Sequence, residues 1–567
     1  MRRRIIAMFL CAIMVFPLFS GCSNKAKVNS KDTKDKAQVL NNIEGTSTPV
    51  PENIGDDIQT VKYEYEQAIN IIEDDYRNYY EIFVASYCDS NGDGMGDFNG
   101  IISKLDYISD MGFNGIWLMP IMPSPTYHKY DVTDYYTVDP QYGTLEDFEN
   151  LVSECHKRNI RLIIDFVFNH TSVEHPWFKE AVQYLESLGV DEEPDLKECP
   201  SVGYYHFTNE YEGSNDYYPT GISKWYYEGV FWILMPDLAL ESQELREEIE
   251  KAAKFWLDLG IDGFRLDAAK EYYSGVTSKN IEVLEWFNDY VKSINKDAYI
   301  VGEVFDQAGL ISSYYKSGVK SFFNFPVAQY NGIIASAVKK LGTFSAKSFL
   351  KSLININQSY AENNPDYIDA PFLSNHDTTR VSAQCSYNDN QMKMAAGILL
   401  TLNGSPFVYY GEEIGMNSMG DRDENKRLPM QWSTTNKTGM SNPPIGADEV
   451  EQTFKPLDEQ EQDPLSILNY YRRALRIRNE NPEIARGDIS AIDELTDDNI
   501  CALKKVYEGS ELVIVYNINN DIAAVDLNKA GYGELNIRGY MSVDGNAVTL
   551  EDGVLNMPIY SIVILKK

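Results

Sequence analysis

The stretch GFRLDAAKE, residues 263–271, ends an apolar run with an arginine and an aspartate two positions apart. In a β-strand, residues i and i+2 point to the same side. Arg265 and Asp267 are therefore expected to project together where the strand ends. A cation and a carboxylate on the same side of a strand end indicate a polar site at one edge of a sheet.

Seven further β-rich runs resemble this one, and helical patterns such as TLEDFENLVSECHKRN (144–159) lie between them. The eight candidate strands are EIFVASY (81–87), FNGIWLM (113–119), IRLIIDFV (160–167), IDGFRLD (261–267), DAYIVGEV (297–304), SFFNFP (321–326), APFLSN (370–375) and PFVYYGEE (406–413). Strands that alternate with helices indicate a parallel α/β sheet, and eight of them predict a (β/α)8 TIM barrel. We place this barrel over residues 76–484.

Two segments depart from the barrel pattern. Residues 171 to about 235 are long, irregular and rich in Tyr and Trp, which indicates a subdomain inserted after the third strand. Residues 485–567 contain alternating runs such as ELVIVYNI (511–518), which predict a C-terminal antiparallel β-sandwich domain. We expect this domain to cap the barrel, with a ligand-binding role as the alternative.

The N-terminus has the pattern of a targeting segment. Three arginines precede an apolar run over residues 5–19, and Ser20 and Gly21 then precede Cys22. This order resembles a bacterial lipoprotein signal, so residues 1–21 are expected to be cleaved and Cys22 to carry lipid. A plain secretion signal or a membrane anchor are the alternatives. Residues 22–75 are mostly polar and read as a flexible tether, which predicts a lipid-anchored protein at the bacterial cell surface.

Composition narrows the possible partners. The formal net charge of −35 over 567 residues argues against nucleic acid, because phosphates would repel such a chain. The 39 Tyr residues suit a protein that stacks against flat ligands such as sugar rings, with a merely Tyr-rich surface as the alternative. The cysteines after Cys22 are scattered without CxxC spacing, so buried thiols are expected rather than a disulfide framework or a zinc site.

Polar residues follow the ends of several predicted strands. The third strand ends in DFVFNH (165–170), the fourth in GFRLDAAKE, the fifth in GEVFD (302–306) and the seventh in FLSNHD (372–377). The active site of a TIM barrel lies at the C-terminal ends of its strands. Three carboxylates, of Asp267, Glu303 and Asp377, are therefore expected on one rim.

These four stretches, in this order, resemble the conserved regions of the α-amylase family of glycoside hydrolases, family 13. Other matching stretches are YHKYDVTDYYTVDPQYGT (127–144), MPDL (235–238), GSPFVYYGEEIGM (404–416) and RLPMQW (427–432). The resemblance covers residues 80–567. It implies a retaining enzyme whose substrate is an α-glucan such as starch, maltodextrin or glycogen.

The resemblance also implies a role for each site residue. Asp267 is expected to be the nucleophile, Glu303 the general acid/base and Asp377 the stabiliser of the transition state, as retention of configuration requires one ionised and one protonated carboxyl. Arg265 is expected to keep Asp267 ionised. The other expected substrate contacts are Tyr130, which would stack on the sugar, together with His128, His170, Lys270 and His376.

A separate loop, DSNGDGMGDFNG (89–100), has the spacing of a calcium site. Carboxylate and carbonyl oxygens surround Ca²⁺ in proteins, and glycines allow the tight turns between them. The expected ligands are Asp89, Asn91, Asp93, Asp97 and the carbonyl of Met95. The loop resembles the first part of an EF-hand but carries Gly100 at the twelfth position. In this family such a loop binds structural calcium.

Specificity within the family depends on a few positions. Oligo-1,6-glucosidases with closed pockets carry Asp three residues before the stacking Tyr; here that position is Tyr127, which predicts an open cleft and endo-acting α-1,4 hydrolysis. Separately, we expect a monomer. Glu271 replaces the His that usually follows Lys270 in amylases. MPDL is typical of family members intermediate between oligo-1,6-glucosidases and neopullulanases. Three enzymatic alternatives therefore remain: a neopullulanase-like enzyme, an oligo-1,6-glucosidase and a 4-α-glucanotransferase. Two alternatives without catalysis are a glucan-binding lipoprotein and a transport-accessory protein.

Overall fold

The computed structural model describes residues 72–189, 192–210, 216–221, 224–340 and 344–567. The predicted signal peptide, Cys22 and almost all of the tether lie outside these residues. The described part of the tether is already attached to the folded body, because Arg486 Nε lies 2.5 Å from Asp74 Oδ2.

The strands in chain order are β1 Tyr79–Ile82, β2 Gly115–Leu118, β3 Arg161–Phe166, β4 Phe207–Thr208, β5 Tyr217–Pro219, β6 Tyr226–Glu228, β7 Gly263–Leu266, β8 Tyr299–Gly302, β9 Ser321–Phe322, β10 Phe407–Tyr409, β11 Asp488–Ala491, β12 Ile500–Tyr507, β13 Ser510–Asn517, β14 Ala523–Asp526, β15 Asn536–Ser542, β16 Thr549–Glu551, β17 Val554–Met557 and β18 Ser561–Lys566. The α-helices are α1 Val84–Tyr87, α2 Phe98–Ile102, α3 Leu105–Met111, α4 Leu145–Lys157, α5 Pro176–Ser187, α6 Gln243–Asp258, α7 Thr277–Ile294, α8 Ala308–Tyr314, α9 Ile333–Lys339, α10 Ala346–Asn363, α11 Val381–Gln384, α12 Asp389–Thr401, α13 Asp423–Lys426, α14 Leu457–Gln460, α15 Ile467–Glu480 and α16 Glu483–Arg486. Short 3₁₀ helices span Pro200–Tyr204, Tyr315–Ser317, Phe325–Val327, Glu412–Ile414, Asp493–Leu495 and Leu527–Ala530.

A parallel sheet in the order β10-β1-β2-β3-β7-β8-β9 forms the barrel. Its strands are almost wholly buried, as expected of a parallel sheet covered by helices. The register places Asp165 directly beside Arg265 on neighbouring strands. The predicted (β/α)8 barrel is therefore confirmed, and its third and fourth strands bring their polar ends together.

Several of the eight predicted strands are longer than those of the structure: the sixth, over residues 321–326, is reduced to β9, and the eighth, over residues 406–413, to β10. The first was expected over residues 81–87, but β1 ends at Ile82 and α1 follows. Tertiary contacts override the β propensity there, since Ser86 Oγ donates a 2.7 Å hydrogen bond to the carbonyl of Arg427.

The seventh predicted strand, over residues 370–375, is reduced to isolated bridges that join Ala370 to Phe323 and Phe372 to Phe407. Pro371 has no backbone N–H to donate to a ladder, although its carbonyl accepts from the N–H of Phe407 at 2.9 Å. These bridges close the barrel between β9 and β10.

The irregular segment after β3 folds as an inserted subdomain, as predicted. It contains α5 and a three-stranded antiparallel sheet in the order β4-β6-β5. An isolated bridge between His170 and Asp237 joins the segment that leaves the subdomain to the segment just after β3. The insert therefore borders the rim on which the polar strand ends lie.

The C-terminal region forms two antiparallel sheets, in the orders β11-β12-β13-β18-β15 and β14-β17-β16. Alternate side chains such as Val513, Val515 and Val563 pack between the two sheets. The opposite face, with Ile514 and Ile562, belongs to the same core as the barrel helices. This packing supports the capping role expected for the domain.

The described residues also bear on membrane-spanning helices and on the cysteines. Within the described part, no helix combines the length and apolar character that a membrane crossing requires. The five cysteines of that part are free thiols, and all are buried, as expected: Cys88, Cys155, Cys199, Cys385 and Cys501.

Candidate active site

The guanidinium of Arg265, at the end of β7, is fully buried and lies among three carboxylates. Its Nη1 donates hydrogen bonds to Asp165 Oδ1 at 2.8 Å and to Asp267 Oδ1 at 2.5 Å. Its Nη2 lies 2.9 Å from Glu303 Oε2. The predicted pairing of Arg265 with Asp267 is confirmed, and one fixed cation also orients Asp165 and Glu303.

The turn after β7 brings Asp267 and Glu303 together. Ala268, directly after Asp267, adopts a left-handed backbone conformation with φ of 46°, which residues with a Cβ atom seldom adopt. Its N–H donates to Glu303 Oε2 at 3.3 Å. Burial raises the pKa of Glu303, and the charges of Asp267 and Asp377 add to that rise against the opposing effect of Arg265. Glu303 is thereby suited to carry a proton.

Asp377 is more exposed than Asp267 and Glu303, with 42% of its side chain accessible. Its Oδ2 lies 3.0 Å from His376 Nε2 and its Oδ1 lies 2.8 Å from Arg427 Nη2. Although burial opposes this, these two cationic groups hold the pKa of Asp377 below its usual range. Asp377 therefore stays ionised.

His376 is buried between two carboxylates. Its Nδ1 lies 2.6 Å from Glu81 Oε1, and its ring stacks on Tyr130 with the ring centres 5.5 Å apart. Burial alone lowers the pKa of His376, but Asp377 and Glu81 together raise it to about 9. Tyr130 donates from its hydroxyl to Asp165 Oδ2 at 3.0 Å, which connects this group to Arg265.

Two of these residues were not predicted from the sequence. Glu81 lies inside the apolar first strand, and a charged residue in such a run was the available signal. Arg427 opens the quoted stretch RLPMQW; its Nη1 lies 3.2 Å from the hydroxyl of Tyr127, so it ties Tyr127 to Asp377.

Two more predicted contacts, His170 and His128, border the same site. His170 is buried, and its Nε2 has no hydrogen-bond partner among the described residues. Burial lowers the pKa of His170 although Asp267 is near enough to oppose the effect. His128 accepts at Nδ1 from the N–H of Tyr130 at 3.1 Å, and burial lowers its pKa to about 4. Both rings are therefore neutral and can donate to a hydroxyl.

Lys270 contacts the segment that follows β8. Its Nζ is 2.9 Å from Asp306 Oδ2 and 3.3 Å from the carbonyl oxygen of Phe305. The side chain remains 35% accessible. Lys270 is thus paired and yet open to a ligand.

The predicted calcium loop is ordered by its own side chains. Asp89 Oδ2 accepts from the N–H of Gly94 at 2.8 Å, and Asp93 Oδ1 accepts from the N–H of Met95 at 2.8 Å. Across the described residues, no three Asp, Glu, His or Cys side chains are grouped closely enough to hold a metal. The loop nonetheless supplies only hard oxygen donors, including the Asn91 amide and a backbone carbonyl, and this donor chemistry fits Ca²⁺.

A parallel α/β barrel with carboxylates from three strand ends on its C-terminal rim is an arrangement suited to a glycoside hydrolase that uses paired carboxyl groups. Residues 81–487 match the family model described as "Alpha amylase, catalytic domain". The chain belongs to the α-amylase family, as its sequence motifs indicated, and is an enzyme of the glycoside hydrolase type.

Two of three similar proteins are described as α-amylases. "Alpha-amylase 3" of Dictyoglomus thermophilum is 40% identical over 502 residues, which cover 87% of this chain and 93% of that protein. The structure of Eubacterium rectale Amy13B is 44% identical, with a TM-score of 0.85, and the match covers 88% of this chain and 96% of that one. An α-amylase structure from H. orenii is 35% identical, with a TM-score of 0.75, and the match covers 87% of this chain and 100% of that one.

Proposed function

We propose that this chain is an endo-acting, retaining hydrolase of internal α-1,4 bonds in starch, maltodextrin or glycogen. The observation that carries the proposal is the contact of a single buried guanidinium, that of Arg265, with both Asp267 and Glu303. Retaining enzymes keep their two carboxyls roughly 5 Å apart, closer than the inverting arrangement that holds a water between them. Side chains that share one guanidinium suit the shorter separation.

The reaction has two steps in this proposal. Asp267 attacks the anomeric carbon while Glu303 gives its proton to the departing glycosidic oxygen, which leaves a covalent glycosyl–Asp267 ester. Glu303, now ionised, takes a proton from water, and that water cleaves the ester with a second inversion. Arg265 orients Asp267 for the attack in the first step, and burial favours the protonated form of Glu303.

The remaining site residues hold the sugar at the cleavage point. Asp377, kept ionised by His376 and Arg427, would bind the hydroxyls whose hydrogen bonds strengthen in the transition state. Tyr130 would stack on the ring, and the neutral His128 and His170 would each donate to a hydroxyl. Lys270 would contact the sugar on the leaving side through its accessible face.

Tyr127 supports the proposal of endo action. The structure pairs its hydroxyl with Arg427, so an aromatic group occupies the position at which exo-acting relatives carry a carboxylate. A chain could then extend beyond the cleaved sugar in both directions. The α-1,6-cleaving, transferring and non-catalytic alternatives each give a different product pattern.

The experiment is a timed product profile on maltoheptaose blocked at its non-reducing end, with Glu303→Gln as the control. Mixed short products from the blocked chain would establish endo action. Glucose released only from the unblocked chain would show an exo-glucosidase instead. Activity that persists in Glu303→Gln would show that another group is the acid.

Calcium and the location of the enzyme complete the proposal. The loop with Asp89, Asn91, Asp93, Met95 and Asp97 would bind one structural Ca²⁺ beside β1. Cleavage after residue 21 would leave a monomer attached to the bacterial membrane by lipid. Metabolic labelling with a palmitate analogue tests the anchor: label lost in Cys22→Ala supports it, and an unlabelled native protein contradicts it.

A further inference from the structure

Four consecutive apolar side chains of the inserted subdomain are exposed. Their accessible fractions are 49% for Phe231, 45% for Trp232, 38% for Ile233 and 36% for Leu234. Single exposed apolar residues are ordinary, but a contiguous exposed group indicates a binding surface. We call these residues the 231–234 turn.

The backbone of the 231–234 turn is fixed at several points. The N–H of Met235 donates to the carbonyl of Trp232 at 2.9 Å, and the N–H of Val173 donates to that of Leu234 at 3.1 Å. The hydroxyl of Tyr227 also donates to the carbonyl of Ile233. The exposed side chains therefore project from a rigid support, so little conformational entropy opposes ligand binding.

The turn adjoins the candidate active site directly. The ring of Phe231 packs against that of His170, with their centres 5.4 Å apart. The bridge between His170 and Asp237 and the hydrogen bond from the N–H of Val230 to Asp237 Oδ2, at 3.0 Å, fix this junction. The ring against which Phe231 packs is thus that of an expected substrate contact, and its Nε2 has no hydrogen-bond partner among the described residues.

We propose that the 231–234 turn is a stacking surface for glucose units of a bound α-glucan beyond the unit held at the cleavage point. The inference rests on the function proposed above and extends it, because it makes Phe231 and Trp232 determinants of chain-length preference. The rings offer flat apolar faces to the C–H faces of pyranose rings. Their continuity with His170 selects a glucan as the occupant rather than a membrane or a second copy of the chain.

The test measures maltoheptaose and maltotriose affinity by calorimetry in the Glu303→Gln background. Trp232→Phe and Phe231→Tyr keep an aromatic ring, whereas Trp232→Leu and Phe231→Leu keep an apolar side chain without one. Ile522→Ala, an exposed apolar residue of the C-terminal domain, is the matched control. In parallel, cleavage positions on end-labelled maltoheptaose are compared between otherwise wild-type enzymes with these substitutions.

We expect each Leu variant to weaken maltoheptaose binding by about fivefold and to shift the preferred cleavage position, whereas the ring-retaining variants stay within about twofold. Maltotriose binding should change less than maltoheptaose binding. Equal maltoheptaose affinity and cleavage positions in the Leu and parent enzymes would overturn the inference. So would Leu variants that lose only binding to phosphatidylcholine–phosphatidylglycerol vesicles. If the wild-type enzyme cleaves no maltoheptaose, the proposed function fails, and the calorimetry alone then tests the stacking surface.

Discussion

His376 and Glu81 form a buried pair, with Nδ1 and Oε1 2.6 Å apart and both side chains almost inaccessible to water. The contact joins the first strand of the barrel to the segment that closes it, 295 positions later in the chain. Because Asp377 lies on the other side of the ring, the imidazole is held between two carboxylates. The charge of His376 therefore depends on residues from both ends of the catalytic domain.

Glu81→Gln is expected to lower the pKa of His376, because one of the two carboxylates that favour the imidazolium is lost. We expect kcat/KM to fall by about tenfold at pH 8 and by less at pH 6, where the ring is still protonated. The pH profile of kcat/KM measures the loss of activity, and NMR titration of the histidines measures the pKa of His376. Glu154→Gln, on the surface of α4, is the control; an unchanged His376 titration would contradict the prediction.

His376 also links stability to pH. Its folded-state pKa of about 9 exceeds the ordinary 6.5, so its contribution is complete below pH 6.5 and is lost as pH rises towards 9. The shift corresponds to at most about 3 kcal/mol. The free energy of unfolding should fall over this window in the wild type and fall less in His376→Gln. Parallel curves for the two proteins would show that His376 is not the group responsible.

Arg427→Gln should release Asp377, which is the most exposed of the three carboxylates and would lose one of its two cationic partners. A drop in kcat of about 100-fold is expected, in the range observed for the loss of a fixed electrostatic contact. Arg422→Gln provides the comparison, because Arg422 lies on the surface 3.9 Å from Asp448. Steady-state kinetics on maltoheptaose decide, and equal kcat values for the two variants would refute the role of Arg427.

Arg265→Lys should lower kcat by more than any loss of folded enzyme accounts for. One ammonium group cannot contact Asp165, Asp267 and Glu303 as the guanidinium does, so kcat should fall by about 100-fold or more. Arg478→Lys is the matched control: this second buried arginine donates to the carbonyl oxygen of Leu402 at 2.6 Å, at the opposite end of the barrel. It should lower the melting temperature while kcat of the folded enzyme is retained.

Calcium removal should destabilise the folded chain without altering the catalytic carboxylates. A ligand at 100 times its Kd contributes about 2.7 kcal/mol, so EGTA should lower the melting temperature by a few degrees. Asp93→Asn should remove most of this dependence, whereas Asp106→Asn, an exposed surface change, should preserve it. An identical melting temperature with and without EGTA would count against a calcium site in the 89–97 loop.

The local part of the site could be predicted from the sequence, because alternation along a strand fixes neighbours such as Arg265 and Asp267. The barrel could be predicted as well, because strands that alternate regularly with helices form a parallel sheet. The limits of the strands were less predictable: contacts of Ser86 with a distant carbonyl ended β1, and Pro371 interrupted the seventh strand.

The contacts of Glu81 and Arg427 could not be predicted from spacing. Each depends on which strands the barrel makes adjacent when it closes, and periodicity within a strand carries no such information. A charge inside the buried run around Glu81 indicated that a partner was needed, since an isolated buried charge is costly. It did not identify His376.

The most direct test of the central claim is the configuration of the first product. Proton NMR during rapid hydrolysis of maltoheptaose distinguishes α from β reducing ends before they interconvert. The proposed roles of Asp267 and Glu303 predict that the α anomer appears first and that Glu303→Gln forms product at a rate lower by about 10³-fold or more. A β anomer as the first product would contradict the double displacement, and with it the assignment of Asp267 as nucleophile.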